Sequence, residues 1–253
     1  MDLALGEKNV LISAAGGGLG PALAEAFWDE GANIYLVSRS REKLEGIVSS
    51  LPPRPEQHAD FLALDLSATS SPAALVRSLN EQGFSPDVVI HHLGGPLGVK
   101  SSLSSYESWQ KVLWLNVFFA SELNRLLVED LKKKGWARIV HISSISANNL
   151  RGSGPYGCAK ALLNAYTCTL GRELAETNVV VSAVLPGAIY SPGGPWDQHM
   201  KHNPGVIDDF LRHHHACGRL GTPDEIVPTV LFLSSMHMTF SQGALINVDG
   251  GTM

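Results

Sequence analysis

The sequence predicts an α/β fold: a doubly wound, parallel, seven-stranded sheet with helices on both faces. Three observations predict it. Short β-rich runs alternate with longer amphipathic ones from end to end. The short runs are nearly continuously apolar, as strands covered on both faces must be. Neither an internal repeat nor a linker-like shift in composition interrupts the alternation, so residues 1–253 form one domain.

The strand candidates, in order, are NVLIS (9–13), NIYLVS (33–38), FLALDL (61–66), DVVIHHL (87–93), ARIVHIS (137–143), VVVSAVLP (179–186) and ALINVDG (244–250). Helical patterns fall between them at 18–30, 41–50, 72–82, 107–134, 155–176 and 223–235. SSPAALVRSL offers a serine cap with proline in the first turn, and GTPDEIV offers Thr, Pro and two early acids. Lys132, Lys133 and Lys134 close a helix before Gly135, where their sign suits the macrodipole, and are expected to form a solvated terminus. The least regular stretch, about 187–216, is rich in Gly, Pro and His. A loop of that length in a compact domain is usually functional, and a substrate lid is expected there.

The chain's 253 residues are enough to bury a full core without disulfides. A net charge of −5 carries no polybasic signature, which argues against nucleic acid or anionic lipid as partner. No apolar run approaches the ~18 residues of a membrane span. Cys158, Cys168 and Cys217 are odd in number and lack C-x-x-C spacing. They read as reduced thiols, and with Asp2 and Glu7 in a terminus lacking a long apolar core they point to a cytoplasmic protein.

SAAGGGLG (13–20) lies between the first strand and the first helix. Glycines there permit a turn, let a pyrophosphate approach the backbone and leave a helix N-terminus free for negative charge. The spacing is not G-x-G-x-x-G. It fits T-G-x-x-x-G-(I/L)-G, with Ser13 for Thr, Ala14 for the first Gly, and Gly18, Leu19 and Gly20 in register.

Four further stretches, GRELA (171–175), VVVSAVLPGAI (179–189), GRLGTPDEIVPTVLFLSS (218–235) and GALINVDGG (243–251), occur in a telling order. Through them the chain resembles the short-chain dehydrogenase/reductase family in its single-domain form, in the manner of 3-oxoacyl-carrier-protein reductases. The likeness covers nearly the whole sequence. It implies a Rossmann-like fold and an enzyme that interconverts a ketone and a secondary alcohol with a nicotinamide dinucleotide.

PYGCAK places Tyr156 and Lys160 four apart, on one face of a helix. A phenol with a pKa near 10 is a poor base at neutral pH. An ammonium ~4 Å away is worth on the order of 4 kcal/mol at an effective dielectric near 20, or about three pKa units. Lys160 is therefore expected to bring Tyr156 toward working pH, as general base or, in reduction, general acid. By the resemblance, Lys160 also bonds the nicotinamide ribose, and Tyr156 lies against the cofactor too. The family's substrate-orienting serine lies 13 residues before the tyrosine, which gives Ser143. Anchoring on the strand end and ISSISA gives Ser144 instead, and Ser144 is preferred because loops accept deletions more readily than strand ends. Asn116 in LNVFFA matches the asparagine that helps hold the lysine. The family's N-N-A-G is here HHLGG (91–95). Gly94 keeps the close approach to cofactor, and His91 and His92 are expected to bond backbone at the strand end.

Seven residues past Gly31, where NAD-selective members carry an acid, stand Ser38 and then Arg39. A hydroxyl and a guanidinium suit a 2′-phosphate, so NADP (NADPH) is the expected cofactor, with NAD possible. The basic residue that some members carry in the glycine loop is replaced by Gly17. The resemblance further assigns Asp65 and Leu66 to the adenine, and Pro186, Gly187, Ile189 and Ser191 to the nicotinamide side. Three consecutive histidines (213–215) point to different sides of a helix, so no metal is expected. Arg151 and the lid histidines hint at a polar or anionic carbonyl or alcohol substrate. The helix after Tyr156 looks apolar or small on both faces (Ala161, Leu162, Ala165, Tyr166, Leu170, Gly171), and with the C-terminal strand it predicts a homotetramer or homodimer. Two alternatives remain: an NAD-dependent alcohol or sugar dehydrogenase of the same family, or a catalytically silent dinucleotide-binding regulator.

Overall fold

The computed structural model describes residues 1–149, 152–202 and 204–252. Its strands are β1 (Asn9–Ser13), β2 (Asn33–Ser38), β3 (Ala59–Ala63), β4 (Val88–His91), β5 (Ala137–Ile142), β6 (Val179–Pro186) and β7 (Ala244–Val248). They form one sheet in the order β3-β2-β1-β4-β5-β6-β7, with every pairing parallel. The chain starts in the middle and winds outward twice, so the order reverses between β1 and β4. There the two halves' connections diverge and leave a crevice at the strands' C-terminal ends.

The helices are α1 (Gly20–Asp29), α2 (Arg41–Ser50), α3 (Ser71–Glu81), α4 (Tyr106–Leu113), α5 (Phe119–Lys133), α6 (Ser146–Asn149), α7 (Gly154–Glu173), α8 (Pro195–His202), α9 (Pro204–His214) and α10 (Pro223–Leu233). Period-two alternation divides the core. Val10, Ile12, Ile34, Leu36, Val88 and Ile90 face Leu23 and Phe27 of α1, Leu44 of α2 and Ile226 and Val230 of α10. Leu11, Tyr35, Val37, Val89 and Ile139 face the other way, onto Leu75 and Leu79 of α3 and Phe119, Leu123 and Leu127 of α5. A strand buried on both faces has no polar alternation to show, which is why these runs are so uniformly apolar.

Several boundaries differ from the sequence reading. β3 starts and ends earlier than 61–66, because Asp65 and Leu66 already belong to the turn into α3, where the Asp65 carboxylate accepts the Ser67 amide. Ser71 opens α3 but does not cap it, since its hydroxyl donates to the Ala68 carbonyl. The single helix expected over 107–134 is divided by a π-turn at Trp114–Phe118. Lys132 and Lys133 are the expected exposed terminus, each paired with an acid on its own helix. Lys134 is not: its ammonium reaches Asp87 at 2.7 Å and the Ser85 carbonyl at 2.9 Å, tying the end of α5 to the start of β4. The stretch read as an irregular lid contains α8 and α9, each begun by a proline.

Candidate active site

β1 ends at Ser13, whose hydroxyl donates to the Ile90 carbonyl (3.3 Å) and accepts the His92 amide (3.1 Å) on the neighbouring strand. The chain then turns through Ala14–Leu19 into α1. Gly18 holds φ +60° and lies so close to His92 that a Cβ there would sit 3.2 Å from the imidazole. Gly20, the first residue of α1, faces the Ala15 carbonyl with no room for a side chain. The fingerprint glycines are thus explained by conformation at Gly18 and by close packing at Gly20.

A cleft of about 900 Å³ runs from this turn past β2 and β4. At one end stand Ser38, Arg39, Ser40 and Lys43; at its side, Asp65, Leu66, Ser67 and Thr69; along its floor, Leu93, Gly94 and Trp114. Ser38 is buried, and its hydroxyl has no partner among the described residues. A Cβ on Gly16 would lie 2.6 Å from that hydroxyl, so backbone rather than side chain lines the approach. Asp65 is held below its ordinary carboxyl range, first by the Ser67 amide and last by the charge of Arg39. An unpartnered buried hydroxyl beside two exposed cations, reached along bare backbone, fits the phosphorylated end of a dinucleotide. Lys43 and Trp114 were not read from the sequence. Neither gave a signal: Lys43 reads as one more charge in the first turn of α2, and Trp114 as one more apolar residue, though here its indole donates to the Leu66 carbonyl at 3.0 Å.

At the crevice, α7 presents Tyr156 and Lys160 one turn apart. Ser153 caps α7 by accepting the Tyr156 amide at 3.2 Å, which fixes where the helix begins and so where the phenol stands. Lys160 is 2% exposed, and its ammonium donates to the Ile142 carbonyl at 2.8 Å. Burial pushes it down to about 7. Its ammonium lies 5.8 Å from the centre of the Tyr156 ring. Here the structure departs from the electrostatic expectation: burial raises the Tyr156 phenol, and a hydrogen bond with Ser144 is what opposes it. Ser144 is thus the serine that meets Tyr156. Ser143 turns the other way, into the protein, donating to Asn164 Oδ1 at 2.6 Å. Asn164 went unread, although an amide on the apolar α7 face at Lys160 + 4 carried the same signal as Asn116.

Asn116 is buried within the π-turn. Its amide donates to the Val112 carbonyl (2.8 Å) and the Gly95 carbonyl (2.9 Å), and its Oδ1 accepts the Gly95 amide (2.9 Å). A Cβ on Gly94 would fall 2.7 Å from Asn116 Oδ1 and 2.9 Å from the Lys160 ammonium. Gly94 therefore brings the β4 loop, Asn116 and Lys160 together in one place. The two histidines before it differ. His91 donates from Nε2 to Asn124 Oδ1 (2.7 Å); Asn124 donates to His141 Nε2 (3.3 Å); His141 donates from Nδ1 to Thr167, which passes its own proton to the Leu163 carbonyl. Each tautomer follows from its neighbour. His91 thus bonds side chains rather than the backbone expected of it, and burial pushes it down to about 4, so the chain is neutral.

On the far side, Pro186 ends β6 beside Val248, and Gly187 packs against the Asp249 backbone with no room for a Cβ. Ile189 bridges to Gly221, and Ser191 is buried. The lid follows. Asp197, buried, takes the Lys201 ammonium (2.7 Å) and the Gly193 amide (2.9 Å), which fixes α8 to the loop before it. Trp196 and Phe210 join α8 to α9 with ring centres 4.6 Å apart. His213 pairs with Asp209, His214 lies edge-on to Phe210, and His215 is buried, so the three histidines do separate work. Among the described residues, no group of His, Cys, Asp and Glu could hold a metal ion. Arg151 lies outside the described residues.

A doubly wound sheet with a long cleft at its switch point, and beside it a half-buried tyrosine one helical turn from a buried lysine, is the frame of a dinucleotide-dependent oxidoreductase. The chain matches, over residues 14–253, the family model described as enoyl-(acyl carrier protein) reductase. It belongs to the short-chain dehydrogenase/reductase family. It is 28% identical to the 3-oxoacyl-acyl-carrier-protein reductase FabG of Pseudomonas aeruginosa, over 98% of each chain. It is 26% identical to the short-chain reductase protein NovJ of Streptomyces niveus, over 99% of this chain and 96% of that one. The L-sorbose reductase of Gluconobacter frateurii, solved with NADPH and L-sorbose, superposes with a TM-score of 0.91 at 29% identity, covering 99% and 98%.

Proposed function

We propose that the protein reduces a small polar ketone to a secondary alcohol with NADPH, with Tyr156 as proton donor. The observation that carries this reading is the convergence at Gly94 of Lys160, Asn116 and the cleft that ends at Ser38 and Arg39. NADPH would supply the hydride. Ser13, Gly18, Leu19 and Gly20 would receive the pyrophosphate; Ser38 and Arg39, with Lys43, the 2′-phosphate; Asp65 and Leu66 the adenine; Gly94, Pro186, Gly187, Ile189 and Ser191 the nicotinamide end. Ser144 orients the substrate oxygen toward Tyr156, whose proton is given up to the developing alkoxide. Lys160, held by one carbonyl and deeply desolvated, responds to any negative charge that forms beside it, and so lowers the cost of the tyrosinate left behind. Asn116 holds the β4 loop against the lysine.

The polar substrate class is supported by the sorbose and 3-oxoacyl relatives. The three cysteines carry no disulfide, which supports a cytoplasmic setting. Leu162 and Phe118 are exposed on α7 and the π-turn packed against it, and Leu245 and Ile246 on the two faces of the edge strand β7. Two such apolar patches support a closed assembly, a homotetramer built on two isologous contacts. The test is a panel of ketoses and 3-oxoacyl thioesters followed by loss of NADPH absorbance, with Tyr156→Phe alongside. Turnover of a panel member, lost in the variant while NADPH still binds, is the expected result. More than a tenth of wild-type kcat in the variant removes Tyr156 from the role.

A further inference from the structure

Beside the cleft, shortly after Gly94, the chain makes a tight turn from Pro96 to Val99, closed by the Val99 amide on the Pro96 carbonyl at 2.9 Å. Its two central residues, Leu97 and Gly98, hold φ +51° and +74°. Positive φ at both is the pattern of a type I′ turn, whose first central place normally goes to asparagine, aspartate or glycine. Leucine there strains the backbone, because its Cβ crowds the following carbonyl. Core packing does not compensate, since Leu97 is 52% exposed. Yet Leu97 lines the cleft, together with Leu93 and Gly94. A strained residue presenting an aliphatic side chain to a cleft points to a ligand contact.

Residues of the site pin this turn on both sides. Upstream, Asn116 holds the Gly95 amide and the Gly95 carbonyl, each at 2.9 Å. Downstream, the Val99 carbonyl accepts the Ser153 hydroxyl, and the Lys100 carbonyl accepts the Gly154 amide at 3.2 Å. The same Ser153 oxygen accepts the Tyr156 amide at 3.2 Å. One hydroxyl therefore donates to the turn and accepts from the catalytic helix. Fixing both ends is what over-determines Leu97.

We propose that Pro96–Val99 is a clamp on the bound dinucleotide, with Leu97 as its apolar contact and Ser153 as the positioning residue that ties the clamp to the helix of Tyr156. This rests on the cofactor reading above. An aliphatic side chain suits a sugar or ring face of the dinucleotide rather than its phosphates. The tie through Ser153 means that a change at the clamp is felt at the cap that sets where the phenol stands.

The test compares Leu97→Gly with Leu97→Ala, and both with Ser153→Ala, by NADPH titration, thermal melts and steady-state kinetics. Both leucine variants should raise the NADPH Kd about tenfold, the order expected when a half-exposed aliphatic side chain no longer becomes buried. Leu97→Gly should melt no lower than wild type, because glycine takes φ +51° freely. Leu97→Ala keeps the strain and should gain nothing. In turnover, the loss should fall on the KM for NADPH more than on kcat. Ser153→Ala should raise the Kd and lower kcat together, since it frees the turn and the cap at once. Ser153→Thr, which keeps donor and acceptor, should restore both. Adding Leu97→Ala to Ser153→Ala should cost less affinity than it costs the wild type, because the two act through one contact. Unchanged NADPH affinity in both leucine variants, or full additivity with Ser153→Ala, overturns the proposal. Leu97 is exposed, so its variants carry the test even where Ser153→Ala does not fold. A wild type that binds neither NADPH nor NADH overturns the cofactor reading itself, a result distinct from tight binding that ignores Leu97.

Discussion

Two cations are buried at opposite ends of one strand, and neither has a carboxylate partner among the described residues. Arg138, the second residue of β5, is 1% exposed; Lys160, reaching the last carbonyl of β5, is 2% exposed. Arg138 donates to the Ser235 carbonyl (3.1 Å), the Ala137 carbonyl (2.9 Å) and, more weakly, the Asn178 carbonyl, and it lies 4.5 Å from the Trp136 ring. It thereby ties the ends of α10 and of the α7–β6 turn to the sheet. Burial lowers it only to about 10, so it stays charged at neutral pH. Among the described residues the Lys160 ammonium has a single hydrogen bond, to Ile142, and the same desolvation brings it to about 7. The difference is one of satisfaction. A cation whose donors are met by carbonyls is structural, whereas one left under-satisfied beside a cleft is poised for a ligand.

That contrast can be broken by exchanging the two losses. Lys160→Met should lower kcat/KM about a thousandfold, within the range for acid–base machinery, while the free protein melts no lower than wild type. Arg138→Met should do the reverse: stability falls by about 3 kcal/mol because several carbonyls lose their donor at once, and kcat stays within twofold. Urea melts and steady-state kinetics on both variants decide it. If Lys160→Met is the destabilising one, the assignment of roles is wrong.

A smaller pair sharpens the picture next to Lys160. Ser144→Ala should reduce kcat about a hundredfold, as loss of one oriented donor does. Ser143→Ala should cost about 1 kcal/mol of stability, through the Asn164 oxygen it leaves unpartnered, with little change in rate. The opposite ranking in kcat would return the role to Ser143.

The smallest effect is a slope in pH. Lys160 has a folded pKa near 7 against an ordinary value of 10.5, so between those values the unfolded chain binds more protons. Stability of the free protein, taken relative to Lys160→Met, should therefore rise from pH 7 to pH 10, by at most on the order of 1 kcal/mol per unit. Arg138 gives no such slope there, since both its states stay protonated up to about 10. A flat difference between wild type and Lys160→Met would mean that the lysine is better solvated than its burial implies.

What could be read in advance depended on whether one residue's burial or several residues' meeting was at issue. Strands covered on both faces announced themselves, because β1 is apolar between its two ends, β4 up to its last residue, and β6 at all but one position. The Tyr156–Lys160 spacing was legible for a similar reason, since a helix repeats every turn. α8 and α9 were not, because charged and histidine residues dilute their apolar stripe, and the contact of Trp196 with Phe210 joins residues fourteen apart. Nor was the π-turn, which leaves a helical sequence helical in composition. The shared work of His91, Asn124 and His141 was also hidden, since it depends on β4 lying beside β5, a long-range pairing that periodicity does not encode.

The π-turn at Trp114–Phe118 has a further consequence for how the molecule can change. A π-turn holds one residue more than the α-turn it replaces, so it acts as a phase shifter between α4 and α5. Trimming that residue would swing everything upstream by roughly one residue's rotation, about 100°, and carry Asn116 away from Gly95. Phe118, two positions on, looks outward while Asn116 looks in. The rod therefore has two independent dials. Its outer surface can be rewritten along α5 without retuning the asparagine, whereas its length in this one turn can lose nothing.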